Sequence, residues 1–242
     1  MVYCSPIVVA HRVNFLNSCL LLVVRPLMSS AIPARFQHIC TKAVRCRWCF
    51  DNCSLKAPTI DIAQPRWIGR AYWNARPRVL VLMLNPGSGK SRKDNADAKA
   101  RRLLRSFAKT ESGLRKILEH LKQDSRYWGA GRFRGFYSTA LGLAFEDLAF
   151  ANVAWCSTRG NKYPVEMLEH CFYHHTQEVL RVLSPDVVLL SGSAVYRFVD
   201  SIKQVLPGAK IIRMLHFAHR EGRATEAREA RRIYRQLENM KN

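Results

Sequence analysis

The predicted architecture rests on the chain from Val79 to Ser91, which has the sequence VLVLMLNPGSGKS. Its first six residues are all apolar, which indicates a strand buried on both faces, as in a parallel sheet. Pro86 and Gly87 then end the strand, and a polar turn follows. Ligands bind to open α/β sheets where the strands end, so the sequence places the chemistry at or near Asn85, Pro86 and Gly87.

This loop supports two chemical interpretations. Its end, Gly-Ser-Gly-Lys-Ser, is similar to that of a phosphate-binding loop in nucleotide-binding enzymes, but such a loop requires a glycine where Leu84 stands. The apolar strand Asp186–Leu190 also begins with its acid instead of ending in one, so no magnesium-binding carboxylate is evident. The alternative is a rigid platform, in which Pro86 fixes the backbone, Gly87 lets a substrate approach and Asn85 presents its amide.

The charge balance points to a polyanionic partner. The 242 residues include 39 Lys and Arg against 18 Asp and Glu, which gives a net charge of +21. This excess favours nucleic acid as the partner, with an anionic membrane surface as the second choice. The length suggests one domain with an appended tail, and we expect a monomer that binds DNA. The basic residues include Lys90, Arg92, Lys93, Lys99, Arg101, Arg102, Arg105, Arg132, Arg134, Arg223, Arg228, Arg231 and Arg232.

Residues 1–45 differ in composition from the rest of the chain. They contain no Asp or Glu, and their apolar run, Phe15–Val24, is too short to span a bilayer, so no membrane association is predicted. An arginine-rich, acid-poor segment resembles an organelle presequence. It is equally typical of a poorly ordered extension, or of a gene start placed too early, with Met28 as the true beginning. We predict a poorly ordered extension over 1–45 and a folded domain over 46–242, in a cytoplasmic protein unless the extension directs it to an organelle.

Strands alternate with helices along the rest of the chain. This alternation predicts a three-layer αβα sandwich around a four-stranded, mainly parallel sheet. Besides the strand before Asn85, the apolar runs predict strands within 145–155, 186–190 and 210–215. Helices are predicted near 98–108, 112–122, 138–145 and 164–183, and at the basic C-terminus.

Three of the four predicted strands end in a polar side chain suited to binding a small ligand. These residues are Asn85, Asn152 and His216. In a parallel sheet all the carboxyl ends lie at one edge, so the three side chains could converge on a single pocket. Each residue alone is ordinary at a strand end, and the indication comes from their joint occurrence.

Cysteine spacing indicates a metal site. The chain has eight cysteines and no convincing secretory signal, so a disulfide framework is not expected. Cys46 and Cys49 form a two-ligand pair, and Cys156 and Cys171 could complete a site of four thiolates. Zinc and a [4Fe–4S] cluster both accept four thiolates, and the spacing does not choose between them. Cys53 is an alternative to Cys46, and Cys156 and Cys171 could instead be small buried apolar residues.

Over about residues 46–220, the chain resembles a known family, the uracil-DNA glycosylase superfamily. Its layout is closest to the iron–sulfur branches, families 4 and 5. The most specific likeness is Asn152-Val-Ala-Trp-Cys156, followed by Pro164 and Cys171. The turn Ser191-Gly-Ser-Ala194 is similar to the family's Leu-Gly-x-x-Ala turn. The resemblance implies that Cys46, Cys49, Cys156 and Cys171 hold a [4Fe–4S] cluster.

Two motifs depart from the iron–sulfur branches. The first, Met83-Leu-Asn-Pro-Gly87, is similar to the Gly-x-Asn-Pro-Gly of the mismatch-specific branch, family 2, in which Asn positions the attacking water. The last, His216-Phe-Ala-His219, lacks the proline expected after its first histidine. The aromatic residue that stacks on the base is not identified by position. The candidates are Tyr127, Trp128, Phe133 and Phe136.

The resemblance implies a DNA-repair enzyme, a hydrolase that cleaves the N-glycosidic bond of uracil or a related deaminated base. Asn85 would align water below the sugar, and Asn152 would read the base edge. His216 would stabilise the negative charge that develops on the base, with His219 in reserve. Pro86 and Gly87 would contact the substrate. A catalytically weak or inactive member that binds nucleic acid is the first alternative, and a nucleotide-binding enzyme with a phosphate loop is the second.

Overall fold

The sheet has the predicted composition. In a computed structural model, which describes residues 32–53, 62–86, 94–107, 110–123, 135–139, 141–158, 161–218 and 221–240, four strands form one sheet. The strands are β1 (Val79–Met83), β2 (Leu148–Asn152), β3 (Val187–Ser191) and β4 (Lys210–Met214). All pairings are parallel, in the order β2-β1-β3-β4. The predicted α/β class is confirmed, and the sheet is entirely parallel.

The burial pattern shows that both faces of the sheet are covered. Every residue of β1, β2 and β3 is buried. Successive side chains of a strand point to opposite faces, so full burial requires a layer on each side. In β4, at the edge of the sheet, Lys210 is exposed while Ile212 and Met214 are buried. The fold is therefore the three-layer sandwich that the alternating pattern predicted.

Helices make up the outer layers. A π-helical turn, Phe172–Thr176, joins the helices Val165–Cys171 and Gln177–Leu183, so that the two form the long helix predicted after Pro164. The described helices are α1 (Ala34–Arg45), α2 (Trp48–Asn52), α3 (Asp94–Phe107), α4 (Glu111–Gln123), α5 (Val165–Cys171), α6 (Gln177–Leu183), α7 (Val199–Val205) and α8 (Arg223–Glu238). Within the described ranges, none of them has both the length and the apolar composition needed to cross a bilayer.

The prediction of a helix near 138–145 is wrong. The chain instead forms a π-helical turn at Gly135–Thr139 and a short 3-10 turn at Phe145–Asp147. Gly142 lies between the two with φ of +65°, a conformation that a right-handed helix does not contain. Among the apolar residues from 141 to 145, Leu141 and Phe145 are buried, Leu143 is half-buried and Ala144 is exposed.

The predicted boundary at residue 46 falls after a helix that belongs to the folded domain. Helix α1 buries Phe36, Ile39, Cys40 and Ala43 in the core, at the spacing expected of an amphipathic helix. Its start is held by Glu111 of α4, which accepts a hydrogen bond from the Ile32 amide at 3.1 Å. Residues 34–45 are thus ordered and packed, whereas the expectation for 1–31 lies outside the described residues.

Asp186, the acid that opens β3, links the starts of two strands. Its carboxylate accepts hydrogen bonds from the Arg78 backbone N–H at 2.7 Å and from the Arg78 guanidinium at 3.1 and 3.3 Å. Burial by itself raises the pKa of the Asp186 carboxyl, but these bonds outweigh it and hold the pKa below its usual value. The residue therefore has a structural role at the edge of the sheet opposite the strand ends.

Replacing this carboxylate is expected to give a pH-dependent loss of stability. Asp186→Asn should lower the free energy of unfolding by about 1 kcal/mol at pH 7, a modest value because solvent screens the partly exposed pair. The folded pKa is lowered, so the stabilisation is present above the ordinary aspartate pKa of about 4 and is lost as the pH falls through the folded value. Urea unfolding at pH 7 and at a pH below the folded pKa measures this loss of stability. Asp200→Asn, at an exposed helix position, is the control and should leave the free energy of unfolding unchanged at both pH values. An equal effect of Asp186→Asn and Asp200→Asn would contradict the assignment.

Candidate active site and metal centre

The three polar strand ends lie at one edge of the sheet. Asn152 is the last residue of β2, Asn85 lies two residues beyond β1, and His216 lies two residues beyond β4. Because β2 and β4 are the outer strands, about 14 Å separates their axes at the usual strand spacing. The outer side chains must therefore reach inward to meet at one ligand.

His216 reaches inward over the end of β3. A Cβ placed on Gly192, directly after β3, would lie 3.3 Å from the Cβ of His216. Gly192 also has φ of +96°, which L side chains rarely adopt. The glycine in the Ser191-Gly192-Ser193 turn thus makes room for the histidine one strand closer to Asn152.

Hydrogen bonding selects the tautomer of His216. The Ala218 backbone N–H donates to its Nδ1 at 3.2 Å. A nitrogen that accepts a hydrogen bond carries no proton, so the neutral ring carries its proton on Nε2. His216 therefore carries its ring N–H donor on Nε2.

The Asn152 amide is held by an arginine that the sequence did not indicate. Asn152 is 2% exposed. Its amide orientation is assigned from its neighbours: with the oxygen facing Arg66, Oδ1 accepts a hydrogen bond from Arg66 Nε at 2.7 Å and Nδ2 donates to the Ala151 carbonyl at 3.2 Å. Arg66 is itself buried, with 6% exposure. Its chain segment runs beside β2, where the Phe150 amide donates to the Trp67 carbonyl at 2.8 Å. Arg66 was missed because Pro65 interrupts any strand pattern in this segment.

Asn85 is anchored through both of its amide protons. Its Nδ2 donates to the Tyr163 hydroxyl and to Asn161 Oδ1, each at 2.7 Å. Burial raises the pKa of Tyr163, so its phenol stays protonated near neutral pH. With both N–H groups engaged, the Asn85 side chain has its carbonyl oxygen left to accept a hydrogen bond from a water molecule.

A buried tyrosine fastens the loop that carries His216. The Tyr137 hydroxyl bonds to Ser191 at the end of β3 and accepts a hydrogen bond from the Phe217 backbone N–H at 3.3 Å. Burial raises the pKa of Tyr137.

Among the aromatic candidates for base stacking, Phe136 is 3% exposed and packs edge-on against Tyr137, so it is part of the core. Gly87 and His219, and the candidates Tyr127, Trp128 and Phe133, lie outside the described residues.

Four of the cysteines line a single cavity. Cys46 and Cys49 come from the start of the domain, Cys156 follows β2, and Cys171 ends α5. The cavity has a volume of about 10 Å³, and its remaining lining is Phe50, Ala63, Trp155 and His175. Cys53 is not part of this lining, so the geometry favours Cys46 over Cys53 as the partner of Cys49.

Two of the thiols, those of Cys49 and Cys171, are close enough to share a metal ion. Their Sγ atoms are 3.9 Å apart, and none of the four cavity cysteines is in a disulfide. Two thiolates on one tetrahedral zinc, with Zn–S of about 2.3 Å, are roughly 3.8 Å apart. The hydrogen bond with Cys171, together with burial, raises the pKa of the Cys49 thiol. This stabilises the protonated thiol, so a metal cation would supply the charge that favours the thiolate.

Two histidines extend this centre. A group of one cysteine and two histidines, Cys46, His170 and His175, has its donor atoms within 4.8 Å of one another and could hold a metal ion. His170 Nε2 lies 3.8 Å from Cys46 Sγ, and its ring stacks on Trp48 with centroids 4.1 Å apart. Burial, with help from nearby His170, lowers the pKa of His175 to about 4, so its ring is neutral near pH 7. Sequence reasoning considered only cysteines, although both histidines flank Cys171 on its helix.

The cysteine cavity and the strand ends are connected through one threonine. Thr176, in the π-helical turn after Cys171, donates its hydroxyl to the Asn152 carbonyl at 2.8 Å, with a longer contact of 3.1 Å to the Val153 carbonyl. It accepts a hydrogen bond from Trp155 Nε1 at 3.0 Å. The helix that carries Cys171 is therefore bonded directly to the end of β2.

No model of a known protein family matches the chain, and no curated protein is significantly similar to it. Arguments about function therefore depend on the geometry of the site.

Proposed function

We propose that this protein is a DNA-repair glycosylase that hydrolyses the N-glycosidic bond of uracil or a related deaminated base in DNA. One observation carries the proposal. The buried Asn152 amide is held by Arg66 at the same sheet edge as Asn85 and His216, so a base-reading group, a water-aligning group and an N–H donor occur together.

The remaining hydrogen-bonding capacity of Asn152 matches the edge of uracil. An asparagine amide has two N–H donors and two acceptor lone pairs. Ala151 takes one donor and Arg66 takes one lone pair, which leaves one of each. Uracil presents an acceptor at O4 beside a donor at N3–H, so the remaining pair is complementary to it.

The other two residues act on the reacting bond. As the bond breaks, the base departs with negative charge and the sugar becomes cation-like. His216 donates its Nε2 proton in a hydrogen bond to O2 of the base and stabilises that charge. The Asn85 carbonyl accepts a hydrogen bond from water and aligns it below the sugar. An amide is not a strong base, so catalysis depends mainly on leaving-group stabilisation and positioning.

Access to Asn152 requires movement. With 2% of its surface exposed, the amide meets a base only after a neighbouring group is displaced. The base must also leave the DNA stack, which costs a few kcal/mol. Contacts with phosphates offset part of this cost, and they are available from a chain of net charge +21. Exposed arginines of α3 and α8 supply such contacts; they are Arg102, Arg105, Arg223, Arg228 and Arg231.

The proposal includes a structural [4Fe–4S] cluster at the four thiols, with zinc as the alternative occupant, and the 3.9 Å between Cys49 Sγ and Cys171 Sγ matches a shared single ion. A metal centre here is supported by the arrangement of the thiols around one space, by the lack of a disulfide among them and by the buried His175 imidazole, which has no hydrogen-bonding partner among the described residues. Cys46, Cys49, Cys156 and Cys171 would hold the cluster. When bound, it cross-links three segments that are distant in sequence, and no step of the hydrolysis passes through it.

An oligonucleotide assay tests the proposed activity. DNA strands carrying uracil, hypoxanthine or xanthine are incubated with the full chain, and abasic sites are detected by alkaline cleavage. We expect release of at least one of these bases without added nucleotide. Salt-dependent DNA binding with no release of any base would support the alternative of an inactive binding protein, which the burial of Asn152 favours. An activity that requires nucleotide would support a phosphate loop; residues 87–91, which would form it, lie outside the described residues.

A further inference from the structure

His175 is a buried histidine whose ring has no hydrogen bond. It is 2% exposed, and neither Nδ1 nor Nε2 has a hydrogen-bonding partner among the described residues. A neutral imidazole carries one N–H donor and one acceptor, and burying both without partners costs about 1–3 kcal/mol for each group. Such a group in a folded protein requires an explanation, and a nearby bound ion is one of the usual ones.

The surroundings of His175 identify what its ring faces. It lines the cavity of the four cysteines, and one of its nitrogens lies within 4.8 Å of Cys46 Sγ. On its other sides lie the rings of Trp155, at 5.7 Å between centroids, and His170, at 6.2 Å. The cavity is thus the place where a partner for this imidazole can be supplied.

We propose that His175 donates its ring N–H to a metal-bound cysteine thiolate, that of Cys46, and so acts as a positioning residue of the metal centre. This inference rests on the metal centre proposed above and not on base excision. Four thiolates already complete the ligand set, so a fifth ligand is not needed.

The alternative, in which His175 itself binds the metal, satisfies the ring less well. A histidine ligand normally donates its second N–H to a carboxylate, a carbonyl or water. His175 has no such acceptor among the described residues, so as a metal ligand it would have a buried N–H without a hydrogen-bond acceptor. As a donor to sulfur it would leave only its acceptor nitrogen unpaired, and buried acceptors are left unpaired more often than buried N–H groups.

The N–H would stabilise the negative charge on the thiolate. Partners of this kind typically change metal affinity by about 10–100-fold when they are removed. In an iron–sulfur centre, a hydrogen bond to sulfur also favours the reduced state and raises the reduction potential.

The test compares the full chain after anaerobic reconstitution with iron and sulfide in four forms: wild type, His175→Phe, His175→Gln and the control His174→Phe. Phe keeps a ring but has no N–H, whereas Gln keeps an N–H donor. His174 is the exposed neighbour of His175 on the same turn. Metal content, competition with a chelator and the midpoint potential are measured, and circular dichroism confirms folding.

We expect the same metal content per chain in all four proteins. His175→Phe should bind the metal about 10–100-fold more weakly and have a more negative midpoint potential. His175→Gln should have nearly the metal affinity and the midpoint potential of wild type, and His174→Phe should match wild type in both. If the bound metal is zinc, chelator competition gives the same comparison.

Three results would overturn the inference. Equal affinity and potential in His175→Phe and wild type would show that the N–H has no role, while leaving the metal centre intact. A stoichiometric loss of metal in His175→Phe and His175→Gln, with the fold retained, would make His175 a ligand. A wild-type chain that binds no metal would remove the proposed centre and this inference together, whatever the outcome of the base-release assay.

Discussion

Asn152→Asp is expected to lower uracil excision by about 10²–10³-fold while the protein remains folded. The carboxylate only accepts hydrogen bonds, so it loses the donor to uracil O4. Removing one directed hydrogen bond from a site of this kind typically costs this much in turnover. Single-turnover measurements on a uracil oligonucleotide give the rate.

The structure explains why this variant should still fold. Arg66 Nε already donates to the Asn152 side chain at 2.7 Å, so an aspartate at 152 would gain an ion pair in place of that hydrogen bond. Its second oxygen remains able to accept from the amino group of cytosine. Weak cytosine excision is therefore expected to appear as uracil excision falls.

The matched control for Asn152→Asp is Asn74→Asp. Asn74 is exposed and lies before β1, at the end of the sheet opposite the candidate site. Asn74→Asp introduces the same charge change as Asn152→Asp and should leave uracil excision unchanged. Uracil excision by Asn152→Asp at the wild-type rate would show that Asn152 is only the end of a strand, and it would remove the main support for base reading.

Cys171→Ala is expected to abolish stable metal binding and to lower the thermal stability of the protein. A metal present at about 1,000 times its Kd stabilises a folded protein by about 4 kcal/mol, so its loss should cost a free energy of unfolding of that order. Excision should fall as well, because the helix of Cys171 is bonded through Thr176 to the Asn152 carbonyl. Metal content, the brown colour of an iron–sulfur centre and the melting temperature are the measurements.

Two other cysteines separate metal loss from simple loss of packing. Cys40 is fully buried in α1 but does not line the cavity, so Cys40→Ala should destabilise the protein and leave its metal bound. Cys53→Ala should also keep the metal, whereas Cys46→Ala should lose it. Retention of a full complement of metal by Cys171→Ala would exclude the four-thiolate site. Loss of metal from Cys53→Ala with retention in Cys46→Ala would exchange their assignments.

Local pattern was sufficient to predict the sheet. The apolar runs that became β1, β2 and β3 are unbroken because both faces of these strands are buried, and such continuous apolar runs are visible in the sequence. The end of β2 at Asn152 and the helix after Pro164 were predictable for the same reason, since a strand end and a helix start carry local chemical signals. The uracil chemistry assigned to these ends remains a prediction.

Only the tertiary structure showed which side chains complete the site. Arg66 and Asn152 are 86 residues apart, and no periodic pattern links a buried arginine after a proline to a strand end. His175 lies one turn after Cys171 and lines the cysteine cavity, but only the folded chain shows that Cys46 lies beside it. Helix α1 was hidden by the acid-free composition around it, although its apolar spacing is helical. Secondary structure follows from neighbours in sequence, whereas the partners of a buried polar group are set by contacts between distant segments, which exist only once the chain has folded.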